Sequence, residues 1–188
     1  MMTKARTRRD DRPEIILDAA ERLIRRSGTR TLTMDAVAAE AALSKGGVLH
    51  HYASKDALIA ALAERKVARL QREIAELEGL QAPGPAAIPL AMIAHARRTY
   101  AEEDGFPRAL LLANAESPEV CPGFGTFLKE RLATMEGIAH HPGDGRILTF
   151  AIVGLMLART LGFHSLEGED LDQTFAALEN AARELPRT

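Results

Sequence analysis

Apolar residues recur along most of the chain with the 3.6-residue period of an α-helix. After Pro13 they stand at i, i+3, i+4, i+7 and i+8, as Ile16, Ala19, Ala20, Leu23 and Ile24, and this spacing predicts an amphipathic helix. Proline suits a first helical turn and glycine the position after the last, so we expect a helix from Pro13 to about Ser27, before Gly28. Acidic and basic residues spaced for i,i+4 ion pairs are expected to stabilise it: Asp18–Arg22 and Glu21–Arg25.

Three hydroxyl side chains, about ten residues apart, precede the next helical segments: Thr33, Ser44 and Ser54. Serine and threonine are preferred N-caps. An apolar residue before each of the first two caps can pack on one four residues after that cap, as a hydrophobic staple does: Leu32 on Val37 and Leu43 on Val48. One short helix ending near Ala41 and another from Lys45 to about His51, with a turn between them, predict a helix-turn-helix.

The second short helix contains two glycines, Gly46 and Gly47. Each costs up to about 1 kcal/mol relative to alanine in a helix interior, and so short a helix is not stable alone. Glycines are useful there if the backbone must approach a phosphate or a base edge closely. The alternative is a loose turn before Ser54.

The rest of the chain also shows the helical period, without strand alternation or an internal repeat. Further helices are expected from Ser54 to about Gly79, Ala87 or Pro89 to Glu103, Pro107 to before Ser117, Phe127 to Ile138, Ile147 to Phe163 and Asp170 to Leu185. The predicted fold class is therefore all-α. We expect a flexible basic arm over residues 1–12, a helix-turn-helix domain over 13–54 and a larger helical domain over 55–188.

The net charge of −2 conceals an asymmetry between the two ends of the chain. Residues 1–72 contain 15 Lys and Arg against 9 Asp and Glu, whereas residues 73–188 contain 9 against 17. A basic first third suggests a polyanionic partner, although solvated surfaces also acquire such imbalances. The basic arm is equally well a contact to DNA phosphates or a solubilising tail.

The remaining composition favours a cytoplasmic protein without a membrane span. The single cysteine, Cys121, excludes an intramolecular disulfide and fits a reducing compartment. The N-terminus lacks the apolar run of a signal peptide. The most apolar segment, Ile147–Phe163, is short for a membrane span and is interrupted by Arg159.

No catalytic or metal-binding constellation is visible. Adjacent helical residues such as His50 and His51 point in different directions, His140 and His141 lie in a Pro/Gly loop, and Cys121 has no obvious base nearby. We therefore expect no enzymatic activity, no cofactor and no metal. The alternative from another class is a helical enzyme or small-molecule carrier with a non-functional DNA-binding-like module.

Residues 13–62 resemble the tetracycline-repressor (TetR) family of bacterial transcriptional regulators. The resemblance rests on Ile16-Leu17-Asp18-Ala19-Ala20, Gly28, Leu32-Thr33-Met34-Asp35-Ala36-Val37-Ala38, Ala41 through Tyr52, and Ser54-Lys55-Asp56-Ala57-Leu58. It implies a homodimer that binds a pseudopalindromic double-stranded DNA operator through paired recognition helices. It also implies a C-terminal ligand-binding and dimerisation domain, in which a small-molecule effector releases the repressor from DNA.

The resemblance also implies which residues meet DNA. Thr33 and Lys55 would contact phosphates, Ser44 would cap the recognition helix, and the groove-facing set would include Lys45, Gly46, Gly47, Leu49, His50, His51 and Tyr52. Lys45, Leu49 and His50 are the candidates for reading bases, and Tyr52 is equally well a core anchor. Two positions depart from the family pattern. Ala42 replaces a frequent turn glycine, so that turn must avoid a left-handed backbone or tolerate strain, and Leu49 replaces a frequent tyrosine.

The effector pocket is less defined. Residues on helices that could line it are Met92, His95, Phe106, Leu110, Asn114, Phe127, Met135, Phe150 and Met156, and each could equally belong to a plain helix–helix core. His95 and Asn114 are the most informative because a polar group on an apolar face needs a partner. Dimerisation is expected through Ile147–Phe163 and Asp170–Leu185, where Ala151, Gly154 and Ala158 allow close approach.

Overall fold

A computed structural model describes residues 12–102, 107–108, 110–111, 114 and 122–186 of the chain. The residues it describes form eight α-helices of named bounds: α1 Arg12–Ser27, α2 Met34–Glu40, α3 Lys45–His51, α4 Lys55–Glu78, α5 Ala87–Tyr100, α6 Pro122–Ile138, α7 Asp144–Leu161 and α8 Gly168–Glu184. Their one strand-like feature is an isolated bridge between Ala139 and Pro186. The all-α fold class is confirmed. Most of the predicted basic arm (residues 1–11), Phe106 and Cys121 lie outside the described residues.

The helices of the N-terminal part begin where their hydroxyl caps predict. Each cap oxygen accepts a hydrogen bond of 3.1 Å from the backbone N–H three residues later: Thr33 from Ala36, Ser44 from Gly47 and Ser54 from Ala57. Such a cap stabilises a helix by about 1 kcal/mol. At the other end of α1, Gly28 stops the helix with a φ of 74°, as expected.

The turn between α2 and α3 tolerates a left-handed backbone at Ala42, which is the second of the two alternatives given above. Ala42 has a φ of 55°, in the left-handed region that favours glycine. The N–H of Leu43 donates to the carbonyl of Ala38 at 2.9 Å, and that of Ala42 donates to Ala39 at 3.2 Å. These two bonds form a Schellman motif, which satisfies the last carbonyls of α2 and offsets the strain at the alanine.

The chain divides into two compact units, and it passes from the first to the second between Arg65 and Lys66. The first unit comprises the described residues up to Arg65 together with those between 104 and 122. Its core combines apolar residues of α1–α4 with Leu110; the fully buried members include Ile16, Leu32, Val37, Val48, Leu58 and Leu62. Both predicted staples, with Leu43 partly buried, therefore contribute to one core.

Charged side chains join the helices of the first unit in a way that local spacing did not predict. Arg65 of α4 donates to Glu14 at 3.2 Å, Asp18 at 2.7 Å and Glu21 at 2.5 Å, all on α1. Glu21 also accepts from Arg25, as expected. The predicted Asp18–Arg22 pair is wrong, because Asp18 turns to Arg65 and Arg22 pairs with Glu40 of α2.

The second unit has its own core, formed by α5 to α8 and the later part of α4. Its fully buried residues include Ala91, Ile93, Met135, Phe175 and Ala182. Gly145 lets α7 cross the end of α6 closely, since an added Cβ would collide with the backbone of Met135 and Glu136. The Tyr100 hydroxyl accepts from the N–H of Leu166 at 2.8 Å and so fixes the segment before α8. Within the described ranges, no helix is both long and apolar enough to span a bilayer.

Candidate functional site

Helix α3 presents a continuous exposed surface on the first unit. Val48 is fully buried and anchors the helix in the core. Lys45, Gly46, Leu49 and His50 are exposed around it. A seven-residue helix held by one buried side chain, an N-cap and its turn leaves most of its surface available to a partner. This is the geometry that a groove-reading helix needs.

The two glycines of α3 stand in different surroundings. A Cβ added to Gly46 would meet no atom within 4 Å, whereas one added to Gly47 would meet the Oγ of Ser44 at 3.2 Å. Neither glycine has a positive φ among the described backbone angles. The fold of the first unit therefore does not require glycine at position 46, although this residue type weakens the helix.

Lys45 is held by an acidic residue of α2. Its Nζ lies 2.9 Å from Oδ2 of Asp35, and the two side chains remain 55% and 70% exposed. A pair this exposed contributes little stability. It does restrict where the ammonium group points, and it places a carboxylate acceptor beside the cation on the same surface.

The end of α3 combines imidazoles with a partly buried phenol. The rings of His50 and His51 meet edge to face, with their centroids 5.1 Å apart. Tyr52 packs partly buried against the core of the first unit. Burial, reinforced by the nearby carboxylate of Glu14, raises the pKa of the Tyr52 hydroxyl, so this group is a neutral hydrogen-bond donor at physiological pH.

The predicted phosphate contacts flank α3 at the starts of the neighbouring helices. Thr33 is exposed before α2, and Lys55 is the first residue of α4. The oxygens of Thr33 and Ser44 are already used as caps. A hydroxyl that accepts one bond can still donate its own hydrogen, so both side chains keep a donor for a phosphate.

The structure brings together only some of the predicted effector contacts. Met92, Phe127 and Met135 are buried in the core of the second unit, and Met156 packs against them. Leu110 belongs instead to the core of the first unit, and Asn114 falls in the same unit. Phe150 is 54% exposed because it lies on the outer face of α7.

His95 is a partly buried histidine beside a carboxylate. Its Nδ1 lies 3.5 Å from Oε2 of Glu73, which also pairs with Arg98 at 3.2 Å. Burial is the main cause that lowers the pKa of His95 to about 4, against the opposing effect of Glu73. The imidazole is therefore neutral at physiological pH, and it serves as a satisfied polar group in this cluster.

One face of α7 is apolar and uncovered. Ile147 is 69% exposed and Phe150 54%, and Ala151 and Gly154 continue the same face at helical spacing. An added Cβ on Gly154 would meet nothing within 4 Å. A second helix could therefore approach this face closely. No group of three or more His, Cys, Asp or Glu that could hold a metal occurs among the described residues.

Two arginines that sequence reasoning did not single out have informative surroundings. Arg65 joins α4 to three carboxylates that lie 44 to 51 residues earlier in the chain, a separation that leaves no local signal. Arg131 stands four residues after Phe127 and four before Met135. A cation at that spacing on an apolar helix face is unusual, so the sequence alone could have identified Arg131.

Two family models match the chain. One, described as bacterial regulatory proteins of the tetR family, matches residues 16–62. The other, described as a tetracyclin repressor-like C-terminal domain, matches residues 87–183 and so covers more than half of the chain. No curated protein matches the chain.

Several solved structures share the fold. A TetR transcription regulator from Haloarcula marismortui is 19% identical, with 95% of this chain and 100% of that chain covered and a TM-score of 0.75. The multidrug binding protein EbrR, complexed with imidazole, is 22% identical over 95% and 92% of the two chains, with a TM-score of 0.71. NemR of Escherichia coli in its reduced form is 18% identical over 90% and 96%, with a TM-score of 0.70.

Proposed function

The chain belongs to the tetracycline-repressor (TetR) family of bacterial regulatory proteins, and we propose that it is a repressor released from its operator by a small molecule. Members of this family are ligand-responsive, DNA-binding transcriptional regulators rather than enzymes. The operator, the dimer and the effector of this chain are the further parts of the proposal, as is a cytoplasmic location, where a bacterial operator is found.

The observation that carries the DNA-binding part is the open surface at Gly46. Glycine weakens α3, and no described residue of the unit requires it, since none comes within 4 Å of an added Cβ. A partner outside the unit explains the residue: the backbone of α3 can come closer to the edge of the major groove than any side-chain-bearing residue allows.

We assign roles to the exposed side chains around this point. Lys45 and His50 are hydrogen-bond donors suited to base edges, and Leu49 offers an apolar contact to a thymine methyl group. Thr33 and Lys55 bind phosphates and fix the register of the helix on the duplex. Asp35 holds Lys45 in place until the DNA replaces that contact.

A mobility-shift assay on the DNA upstream of the chain's own gene tests these roles. Lys45→Ala and His50→Ala should each weaken specific binding roughly 5- to 100-fold, the range of about 1–3 kcal/mol for a base contact. Lys129→Ala removes an equally exposed lysine from α6 of the second unit and serves as the matched control. Unchanged specific binding in both α3 variants would refute the recognition helix.

Salt dependence separates phosphate contacts from base contacts. Each basic residue that neutralises a phosphate releases counterions, so the affinity should fall steeply as salt rises. Lys55→Ala should reduce the slope of log K against log salt by about 1. A slope that does not change in this variant would remove Lys55 from the phosphate contacts.

The uncovered face of α7 supports a homodimer, with α8 as the second helix of a four-helix interface. Two copies related by a two-fold axis would present two α3 helices to a pseudopalindromic operator. Phe150→Glu places a charge on this face and should yield monomers by gel filtration, whereas Lys129→Glu should remain dimeric. A wild-type monomer at micromolar concentration would contradict the dimer.

The small-molecule part rests on the second unit. EbrR, which has the same fold, is a multidrug binding protein that holds imidazole in its crystal. The interior side chains of the second unit include Met92, Phe127 and Met135, whose soft or flat surfaces suit an apolar ligand. An effector bound there should lower the operator affinity of the wild type.

A further inference from the structure

Arg131 is a cation on the apolar inner stripe of α6. It lies between Phe127, 7% exposed, and Met135, fully buried, at four-residue spacings that place the three side chains on one face. Its guanidinium carbon stands 5.7 Å from the centre of the Phe127 ring. Its Nε is buried and has no hydrogen-bond partner among the residues that the structure describes. A donor is therefore held inside the second unit with its hydrogen unused.

Arg131 differs from the other described arginines of the second unit in its buried Nε without a hydrogen-bond partner, whereas its lack of an ion pair to a described residue is shared with Arg72 and Arg159. The arginines with a carboxylate within 4 Å include Arg97 with Asp172, Arg98 with Glu73, Arg146 with Glu136 and Arg183 with Glu179. Arg131 has no ion pair among the described residues. A buried donor without an acceptor is costly. An anionic partner would remove that cost.

The surroundings of the guanidinium define what else this partner must offer. Phe124 lies 6.2 Å from Phe127, ring to ring, and is 40% exposed. Phe124, Phe127 and Arg131 therefore follow one another along α6 at i, i+3 and i+7. An aromatic surface leads directly to a cation that has a free donor.

We propose that Arg131 binds the anionic group of the effector, and that the effector is an aromatic organic anion whose ring packs against Phe124 and Phe127. The inference rests on the proposed function, because it names the chemical class of the ligand that this function requires. The Nε–H donates to a carboxylate or sulfonate oxygen, and the guanidinium supplies the opposite charge.

Two dyes with a shared aromatic skeleton test the charge requirement. 8-Anilinonaphthalene-1-sulfonate carries the anion, and N-phenyl-1-naphthylamine is the same skeleton without it. Full-length wild type, Arg131→Gln, Arg131→Lys and the control Arg183→Gln are titrated with each dye by fluorescence. The urea midpoint of every variant is measured beside the titration, and Arg131→Lys tests the proposal if the glutamine variant does not fold.

Arg131→Gln should weaken binding of the anionic dye roughly 10- to 100-fold, as expected for the loss of a charged hydrogen bond. It should change the affinity for the neutral dye by less than about twofold. Arg131→Lys keeps the charge without the Nε donor and should fall between the two. Arg183→Gln should bind both dyes as the wild type does. Equal changes for the two dyes, an unchanged affinity for the anionic dye, or a wild type that binds neither would overturn the inference.

The titration contains no DNA, so it can fail independently of the proposed function. In a mobility shift on the upstream DNA, the anionic dye should lower the operator affinity of the wild type, and Arg131→Gln should need at least about 10-fold more dye for the same effect. Without dye, both proteins should bind the operator equally. A wild type that binds the anionic dye selectively but never binds DNA would refute the repressor and leave the assignment of Arg131 intact.

Discussion

Gly46→Ala should raise stability and lower DNA affinity at the same time. Within the protomer the new methyl group meets nothing within 4 Å. Alanine improves helix propensity by up to about 1 kcal/mol relative to glycine, and a gain of that size raises the melting temperature by about 2–4 °C in a chain of this length. The free protein should therefore become more stable.

In the proposed complex with DNA, the same methyl group would occupy the space through which the backbone of α3 approaches the groove. Crowding in a well-packed contact costs about 1–3 kcal/mol, so operator affinity should fall roughly 5- to 100-fold. Stability is measured by urea denaturation at fixed protein concentration, because the proposed dimer would contribute to it. Affinity is measured by fluorescence anisotropy on labelled operator DNA.

Two further glycine variants separate the causes. Gly137→Ala on α6 also places its Cβ in open space and should give the stability gain without a change in affinity. Gly47→Ala brings its Cβ to 3.2 Å from the Ser44 cap, so its stability gain should be smaller. If Gly46→Ala binds the operator as tightly as the wild type, the interpretation of Gly46 as a point of close approach is refuted.

Three other predictions concern stability. Arg65→Gln removes the shared partner of three carboxylates of α1, of which Glu21 keeps Arg25, and should lower the free energy of unfolding by about 1–3 kcal/mol. Arg183→Gln, an exposed control, should change it by less than about 0.5 kcal/mol, and equal losses in the two variants would contradict the network. Burial lowers the pKa of His95 to about 4, below its value in the unfolded chain. The contribution of the neutral histidine to the free energy of unfolding is therefore complete above about pH 6.5 and is lost as the pH falls toward 4. Urea unfolding at several pH values should show this fall in stability in the wild type and a smaller one in His95→Gln. Gly145→Ala forces a Cβ against the backbone of α6 and should lower the free energy of unfolding by at least about 1–3 kcal/mol, whereas Gly137→Ala should not lower it. An unchanged melting temperature in Gly145→Ala would show that the two helices can separate.

Local rules were sufficient for the capped helices of the first unit, whereas α6 begins at Pro122 rather than Phe127 and α7 spans Asp144–Leu161 rather than Ile147–Phe163. Thr33, Ser44 and Ser54 act through hydrogen bonds to residues three positions away, so the information lies within one turn. The Glu21–Arg25 pair was predictable for the same reason. Asp18 was not, because Arg65 of α4, with its neighbouring acidic partners, competes for it more effectively than the single residue Arg22.

The effector contacts could be predicted only in part, because helical period identifies a buried face but not what the face meets. Met92, Phe127 and Met135 are buried as an inner face requires. Phe150 has the same apolar character, yet it lies on the opposite side of α7 from the buried Leu148 and Ile152. Apolarity alone does not separate a core position from an exposed one. A charge on the stripe, as at Arg131, carries more information.

The left-handed alanine between α2 and α3 has a consequence for how the protein searches DNA. A glycine there would give the turn many accessible backbone states, and α3 could swing on it as on a hinge. Ala42 has fewer accessible backbone states than glycine, and two backbone hydrogen bonds that close the turn hold it at a φ of 55°. We therefore expect α3, the proposed recognition helix, to reorient on this turn less freely than it would on a glycine. Under the proposed function, α3 would meet the groove already ordered, so part of the entropy cost of fitting it to DNA is met when the protein folds.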